Sequence, residues 1–328
     1  MQKVRWGVLS TANIAREAFI PAALASKYAD IIAIGSGNDI VEIIARNFSI
    51  PTIYPSYDEL LDCDEIDAVY IPLPNSMHEQ WVKKAAAKGK HVLCEKPAGL
   101  SEKSLEEMVS VCLKNNVLFM EAFMYQFHPQ HERVKEIIRL GVIGEVQQIE
   151  ATFSFELNQH SPNIRLDKSL GGGSLFDVGC YCIHTFSLLL ESLPKEVSAW
   201  ANLKEVDLTA NGRLVYDNGV QALFECSFEK PFKHEYTIIG TEGKITVPRA
   251  YRPDVTQGEG IIRIDKVGNN PKTESILADP YVNQIDYFSK AILDGRLDEE
   301  LVQTSFQTIK IIETCYKSIE TGTTIKLR

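Results

Sequence analysis

Through its first 121 residues the chain alternates short apolar runs with helical stretches, and this rhythm constrains the fold more than any other feature. Residues 4–9, 31–35, 52–54, 68–71, 91–94 and 118–121 read as strands. Between them lie a helix from about Ile14 and helices at 40–48, 59–61, 78–88 and 103–115, the third opened by the capping box Ser56-Tyr57-Asp58-Glu59. Alternation of this kind predicts a parallel sheet with helices on both faces. Ligands of such sheets bind outside the carboxyl ends of the strands.

After residue 122 the rhythm changes. A helix near 130–140 leads into strands at 146–155, 197–203, 213–216, 221–228, 235–240, 244–248 and 261–266. Asp217-Asn218-Gly219 and Gly240-Thr241-Glu242-Gly243 are turn signals between neighbouring strands. Helices are expected near 174–190, 283–294 and 303–320. The expectation is an α/β chain of two domains, 1–121 and 122–328, the second an α+β domain with a large, mostly antiparallel open sheet.

Bulk properties remove several function classes. A net charge of −10 argues against nucleic acid or an anionic membrane surface as the main partner. No apolar run approaches the length expected of a membrane span, and the start leads straight into a strand rather than a signal peptide. The seven cysteines are scattered, and Cys180 and Cys182 are too close in sequence to resemble paired zinc ligands. They read as reduced thiols of a cytoplasmic protein without a metal.

The chemistry lies in a few segments. Cys94-Glu95-Lys96-Pro97 follows a short apolar run, so Lys96 stands at the carboxyl end of a buried strand, where proline ends the ladder. The first strand ends in Ser10-Thr11-Ala12-Asn13-Ile14-Ala15, where a dinucleotide fingerprint would place glycines at 10 and 12 and glycine or alanine at 15. Small residues there suit a pyrophosphate, although the same run would also serve as an ordinary strand–turn–helix junction capped by Thr11 or Asn13. At the end of the second strand, in Gly35-Ser36-Gly37-Asn38-Asp39, the strand-end Ser36 is neutral and does not repel a 2′-phosphate, which leans the reading toward NADP, although Asp39 would restore some repulsion. Pro72-Leu73-Pro74-Asn75, with His78, forms an extended loop at another strand end, and Asn75 fits both a helix cap and a cofactor contact. Gly171-Gly172-Gly173 precedes a helix on which Asp177, Tyr181 and His184 fall at i, i+4 and i+7. A carboxylate, a phenol and an imidazole on one face can hold a hydroxyl-bearing substrate and move a proton. The alternative is that Ser174 and Asp177 form a capping box while Tyr181 and His184 are core residues.

Taken together, Glu95-Lys96-Pro97, the glycine run with Asp177 and Tyr181, Asn75 with His78, and Met124-Tyr125 with Phe127-His128-Pro129 resemble the glucose–fructose oxidoreductase / inositol dehydrogenase / MocA family, on its dihydrodiol dehydrogenase-like side. The resemblance covers nearly the whole chain. It implies an N-terminal Rossmann domain, a C-terminal domain with an open sheet, and nicotinamide-dependent hydride transfer on a sugar, polyol or diol. It implies Lys96, Tyr181 and Asp177 as catalytic residues. Ser10, Thr11, Ala12, Asn13, Ile14, Ser36, Gly37, Asn38, Pro72, Leu73, Asn75, His78, Glu95 and Lys96 would line NAD(P). Tyr125, His128, Arg165, Asp177 and His184 would meet substrate. Three positions depart from the family pattern: Ser10 and Ala12 replace glycines, Gly37 stands where NADP-using relatives often carry arginine, and Gln126 replaces an arginine. A homodimer or dimer of dimers joined through the open sheet is expected. The rival reading is a non-catalytic NAD(P)- or sugar-sensing regulator on the same fold.

Overall fold

Six strands form the first sheet of the computed structural model, which describes residues 2–327: β1 (Val4–Leu9), β2 (Ala29–Gly35), β3 (Thr52–Tyr54), β4 (Ala68–Ile71), β5 (His91–Cys94) and β6 (Phe119–Glu121). Their order is β3-β2-β1-β4-β5-β6 and every pairing is parallel. This is the doubly wound order in which the chain reverses direction across the sheet next to β1, leaving a crevice beyond the strand ends. The strands are apolar on both faces, as helices on both sides require: β4 is buried at all four positions. The boundaries expected from sequence agree to within two residues for all six strands.

The second sheet has nine strands: β7 (Val146–Ser154), β8 (Glu196–Leu203), β9 (Asp207–Val215), β10 (Gln221–Ser227), β11 (Lys233–Gly240), β12 (Gly243–Val247), β13 (Glu259–Lys266), β14 (Lys272–Leu277) and β15 (Ile325–Lys326). Its order is β14-β13-β12-β11-β7-β10-β9-β8-β15, antiparallel except where β7 meets β10. β10 shows the period of two that builds it. Ala222, Phe224 and Cys226 are buried, while Gln221, Leu223 and Glu225 stay half-exposed on the other face. Helices cover the buried face: Tyr316 and Ser318, on the helix Glu299–Thr321, bond to Asp207 and to the Ala199 N–H.

Contacts divide the chain into residues 2–124 with Tyr281–Val302, and Tyr125–Pro280 with residues 303–327. The helix near 283–294, expected within the second domain, instead belongs to the first unit, where Ser289 accepts a hydrogen bond from the Trp6 indole at 3.2 Å. β14 and β15 were not expected. β14 alternates exposed and half-exposed residues with no buried position, and β15 has two residues, so neither carries an apolar signal. One stretch, Lys168–Leu190, is long and apolar enough by composition to cross a membrane, against the expectation from sequence; 78% of its most apolar window is buried inside the fold.

Candidate active site

β1 ends at a turn that demands glycine geometry without using glycine. Ser10 has φ of 111°, and its hydroxyl accepts the Ala12 N–H at 3.0 Å. Such a backbone costs of order 1–3 kcal/mol in a non-glycine residue. The helix that follows opens with a π-turn, Ala15–Phe19, and no side chain caps it. Uncapped helical N–H groups beside small residues make a phosphate cradle. The expected alternative, Thr11 or Asn13 as cap, is therefore not what forms. These residues fit the pyrophosphate of a dinucleotide.

At the end of β2, Ser36 is buried and its Oγ accepts the Asn38 N–H at 3.1 Å. With that lone pair engaged, the hydroxyl proton is free to be donated. Ser36, Gly37, Asn38 and Asp39 line one side of a recess of about 460 Å³, with Ile53 and Pro55 on the other. The strand end offers the neutral donor Ser36 rather than a carboxylate, which fits the adenosine end of a phosphorylated cofactor, although Asp39 and Glu42 also line the recess.

The Lys96 turn is held by side chains at three successive residues. The Lys96 N–H donates to Glu95 Oε2 at 3.2 Å, the Pro97 carbonyl meets His78 Nδ1 at 2.9 Å, and the Ala98 N–H donates to Glu121 Oε1 at 2.7 Å. Glu95 is held in turn by the Tyr70 hydroxyl at 2.6 Å, and Tyr70 stacks on Phe19 of the helix after β1, centroids 3.9 Å apart. Glu95, expected at the cofactor, thus has one oxygen engaged by the turn and the other by Tyr70 of β4. His78, also expected there, is corrected: it is fully buried, with Nε2 2.8 Å from the Leu73 carbonyl, and touches protein on all sides. Burial, opposed by its carbonyl partners, lowers its pKa.

In the second unit the glycine run is explained by what it must approach. A Cβ on Gly172 would lie 2.6 Å from the Arg165 carbonyl, and one on Gly173, whose φ is 125°, would lie 2.3 Å from Asp207 Oδ1. Asp207 is the residue that sequence reasoning missed. It is buried at the start of β9 and accepts from Ser174 Oγ at 2.8 Å, the Leu175 N–H at 2.6 Å and Tyr316 at 2.8 Å. Burial raises its pKa against the pull of those three donors. It sits at the amino end of the helix carrying Asp177 and Tyr181, where a carboxylate also meets the helix dipole favourably. An isolated aspartate 30 residues past the motif, in a polar strand start, gives no signal in the sequence.

The Ser174–Asp177 capping box does not form, because Ser174 turns to Asp207. Asp177 instead accepts from Arg165 Nε at 2.7 Å, with side chains 15% and 40% exposed. A π-turn over Leu175–Gly179 shifts the helical register, so the even i, i+4, i+7 face expected from sequence is not kept. Asp177 is part-buried and paired with Arg165, Tyr181 is 7% exposed against Phe153 and Tyr251, and His184 is 1% exposed. His184 Nδ1 is paired with the Tyr125 hydroxyl at 2.8 Å, and burial lowers its pKa to about 3. His184 and Tyr125 are thus core residues, not the substrate contacts expected. His128 is corrected likewise: fully buried, it caps the helix Pro129–Arg139 through the Gln130 N–H and reaches the Gly258 carbonyl at 3.0 Å.

Comparison with known proteins agrees with this geometry. The oxidoreductase family with an NAD-binding Rossmann fold matches residues 4–123, and the GFO/IDH/MocA C-terminal domain matches residues 131–246. A D-xylose 1-dehydrogenase (NADP(+)) of Haloferax volcanii is 35% identical over 326 residues, covering 98% of this chain and 99% of its own. The trans-1,2-dihydrobenzene-1,2-diol dehydrogenase of Mus musculus is 32% identical over 263 residues, 78% of each chain. A 3-ketoreductase from Actinomadura kijaniata, solved with NADP and TDP-benzene, is similar with a TM-score of 0.91 at 28% identity, covering 97% of this chain and 98% of the other. Fold, strand-end lysine and sequence similarity along both domains agree: the chain belongs to the GFO/IDH/MocA family of oxidoreductases and is NAD(P)-dependent.

Proposed function

We propose that this protein is an NADP-dependent dehydrogenase of a free sugar, an aldose oxidised at its anomeric carbon. The observation that carries the reading is Lys96, fixed by Glu95, His78 and Glu121 at the carboxyl end of β5 in a sheet of dinucleotide-binding order. The full-length similarity to a xylose dehydrogenase supports the choice of aldose.

Bound NADP would supply the hydride chemistry, as acceptor in oxidation and donor in reduction. Lys96, as ammonium, donates to the reacting oxygen and stabilises the negative charge that gathers there. Tyr181, as phenolate, takes the hydroxyl proton during oxidation and, as phenol, returns it during reduction. Asp177, ion-paired with Arg165, accepts from a neighbouring sugar hydroxyl and sets the orientation. Ser10, Ala12, Asn13 and Ile14 would hold the pyrophosphate, and Ser36 would donate to the 2′-phosphate.

Turnover measured over a panel of aldoses, polyols and trans-diols with NADP and NAD tests this. Oxidation of aldoses with NADP is the expected result. Cofactor binding without turnover of any compound would instead support a sensor.

The open face of the second sheet carries Trp200 on β8, 59% exposed, and half-exposed Leu223 on β10, with β9 between them. A mixed face of this kind suits association with a second copy, so a homodimer through the sheet belongs to the proposal. Light scattering giving a monomer of 36.8 kDa, active at the same dilution, would overturn it. All seven cysteines are free thiols, which supports a reducing, cytoplasmic location.

A further inference from the structure

We propose that His78 is the positioning residue for Lys96, acting through a hydrogen bond from its Nδ1–H to the carbonyl of Pro97. The inference rests on the reading of Lys96 given above and assigns the group that aims it. His78 lies on the first turn of the helix Asn75–Ala87 and is fully buried. One ring nitrogen faces the carbonyl that follows Lys96, and the other faces the Leu73 carbonyl, in the loop after β4. β4 and β5 are hydrogen-bonded neighbours, so the ring bridges the two loops that leave adjacent strand ends. Proline at 97 has no N–H, so its carbonyl is the one backbone group of that residue able to fix the turn. Lys96 and Ala98 on either side are held by Glu95 and Glu121. Without His78 the middle of this three-point anchorage is lost. The lysine would then be free to rotate away from the reacting oxygen while both neighbours stay in place.

A neutral ring carries one proton and donates to one carbonyl only. Burial and the nearby Lys96 charge both favour the neutral ring. A proton on Nδ1 holds Pro97, and a proton on Nε2 holds Leu73. Two amide substitutions separate these contacts. The asparagine Nδ2 falls where Nδ1 lies, and the glutamine Nε2 falls where Nε2 lies.

The experiment compares His78→Asn, His78→Gln, Lys96→Ala and the double variant His78→Gln/Lys96→Ala. Turnover, KM, NADPH affinity by fluorescence and melting temperature are measured for each. His78→Asn is expected to keep kcat within about tenfold, and His78→Gln to lose about 100-fold, as for an ångström-scale misplacement of a catalytic group. NADPH affinity should change little in either. The double variant should be no slower than Lys96→Ala alone, because the histidine then has nothing left to aim. Equal losses in the Asn and Gln variants, a better Gln variant, or additive losses in the double variant would overturn the proposal. Near-normal turnover in Lys96→Ala would instead overturn the underlying role of Lys96, and the proposal with it. ¹⁵N NMR of the wild-type ring provides a readout independent of activity and of variant folding. An Nδ1–H tautomer is expected; an Nε2–H tautomer overturns the assignment.

Discussion

The two units hold their chemical groups by opposite means. In the first, Lys96 sits on a turn at a strand end, and its supports come from nearby segments: Glu95 beside it, His78 from the first turn of the helix after β4, Glu121 at the end of β6. In the second, Asp177 and Tyr181 ride on a helix whose amino end is fastened by one buried carboxylate, Asp207, from a distant strand. The first arrangement aims a flexible side chain by fixing backbone. The second aims rigid helical positions by fixing where the helix begins. The helices that follow the β1 turn and the glycine run both open with a π-turn, over Ala15–Phe19 and Leu175–Gly179. The extra residue widens the first turn in both places, a feature often found at functional sites.

The largest effects should come from the groups being aimed. Lys96→Ala should lower kcat by roughly 1,000-fold with NADPH affinity nearly unchanged, because a fixed charge at the reacting oxygen acts mainly in the transition state. Tyr181→Phe should lower it by about 100- to 1,000-fold, the usual contribution of a positioned proton donor. Steady-state kinetics with the best aldose checks both. A Tyr181→Phe enzyme slower than Lys96→Ala would reverse the weight given to the two units.

What fastens the helix should show in stability more than in chemistry. Asp207→Ala leaves Ser174 Oγ, the Leu175 N–H and the Tyr316 hydroxyl without their acceptor. Three buried donors left unpaired should cost about 3–5 kcal/mol, read as a lower urea midpoint. A loss of activity at unchanged stability would mean that Asp207 serves the reaction directly.

The same contrast decides what was legible in the sequence. The supports of Lys96 fall within segments already marked by strand–helix alternation, so the parallel sheet, its strand ends and the lysine could all be placed from the chain alone. What could not be read there was direction. His78 lies in the motif yet turns inward to two carbonyls, and a carbonyl partner leaves no trace in side-chain identity. In the second unit Gly173 was visible, but the Asp207 that it accommodates lies 33 or so residues beyond, in a strand whose first residues were not recognised. The i, i+4, i+7 face of Asp177, Tyr181 and His184 assumed a regular helix. The π-turn broke that assumption, and the capping box gave way to a better acceptor.

Acid should also separate the units. His131 and His184, both in the second unit, have pKa values lowered to about 3 by burial. Unfolded, each titrates near 6.5, so between pH 6.5 and 3 the unfolded chain binds protons that the folded one does not. Their stabilisation is complete above pH 6.5 and falls as pH drops through that window, by up to about 1.4 kcal/mol per pH unit for each histidine. Hydrogen exchange should show β7, β10 and β11 losing protection first, and His184→Gln should make the decline shallower. An unchanged slope in that variant would place the acid sensitivity elsewhere.

The smallest effect expected is at the adenosine end, where the first unit reads its cofactor with one neutral group. Ser36 Oγ is already an acceptor for the Asn38 N–H, so what it offers the recess is its proton. A phosphate takes that donor, whereas a ribose hydroxyl can use a carboxylate as well or better. Ser36→Asp would place a negative charge at the same point, repelling a 2′-phosphate and accepting from the ribose hydroxyls. The ratio of kcat/KM for NADP over NAD should fall about tenfold, equivalent to about 1.4 kcal/mol, with kcat for the preferred sugar little altered. Asp39 and Glu42 already line the recess, so the added carboxylate acts by position rather than by net charge. An unchanged ratio would mean that the phosphate is read by a cation instead. Arg46, which with Glu42 lines the neighbouring recess against Ile53, is then the residue to replace next, and Arg46→Ala should produce the shift that Ser36→Asp did not.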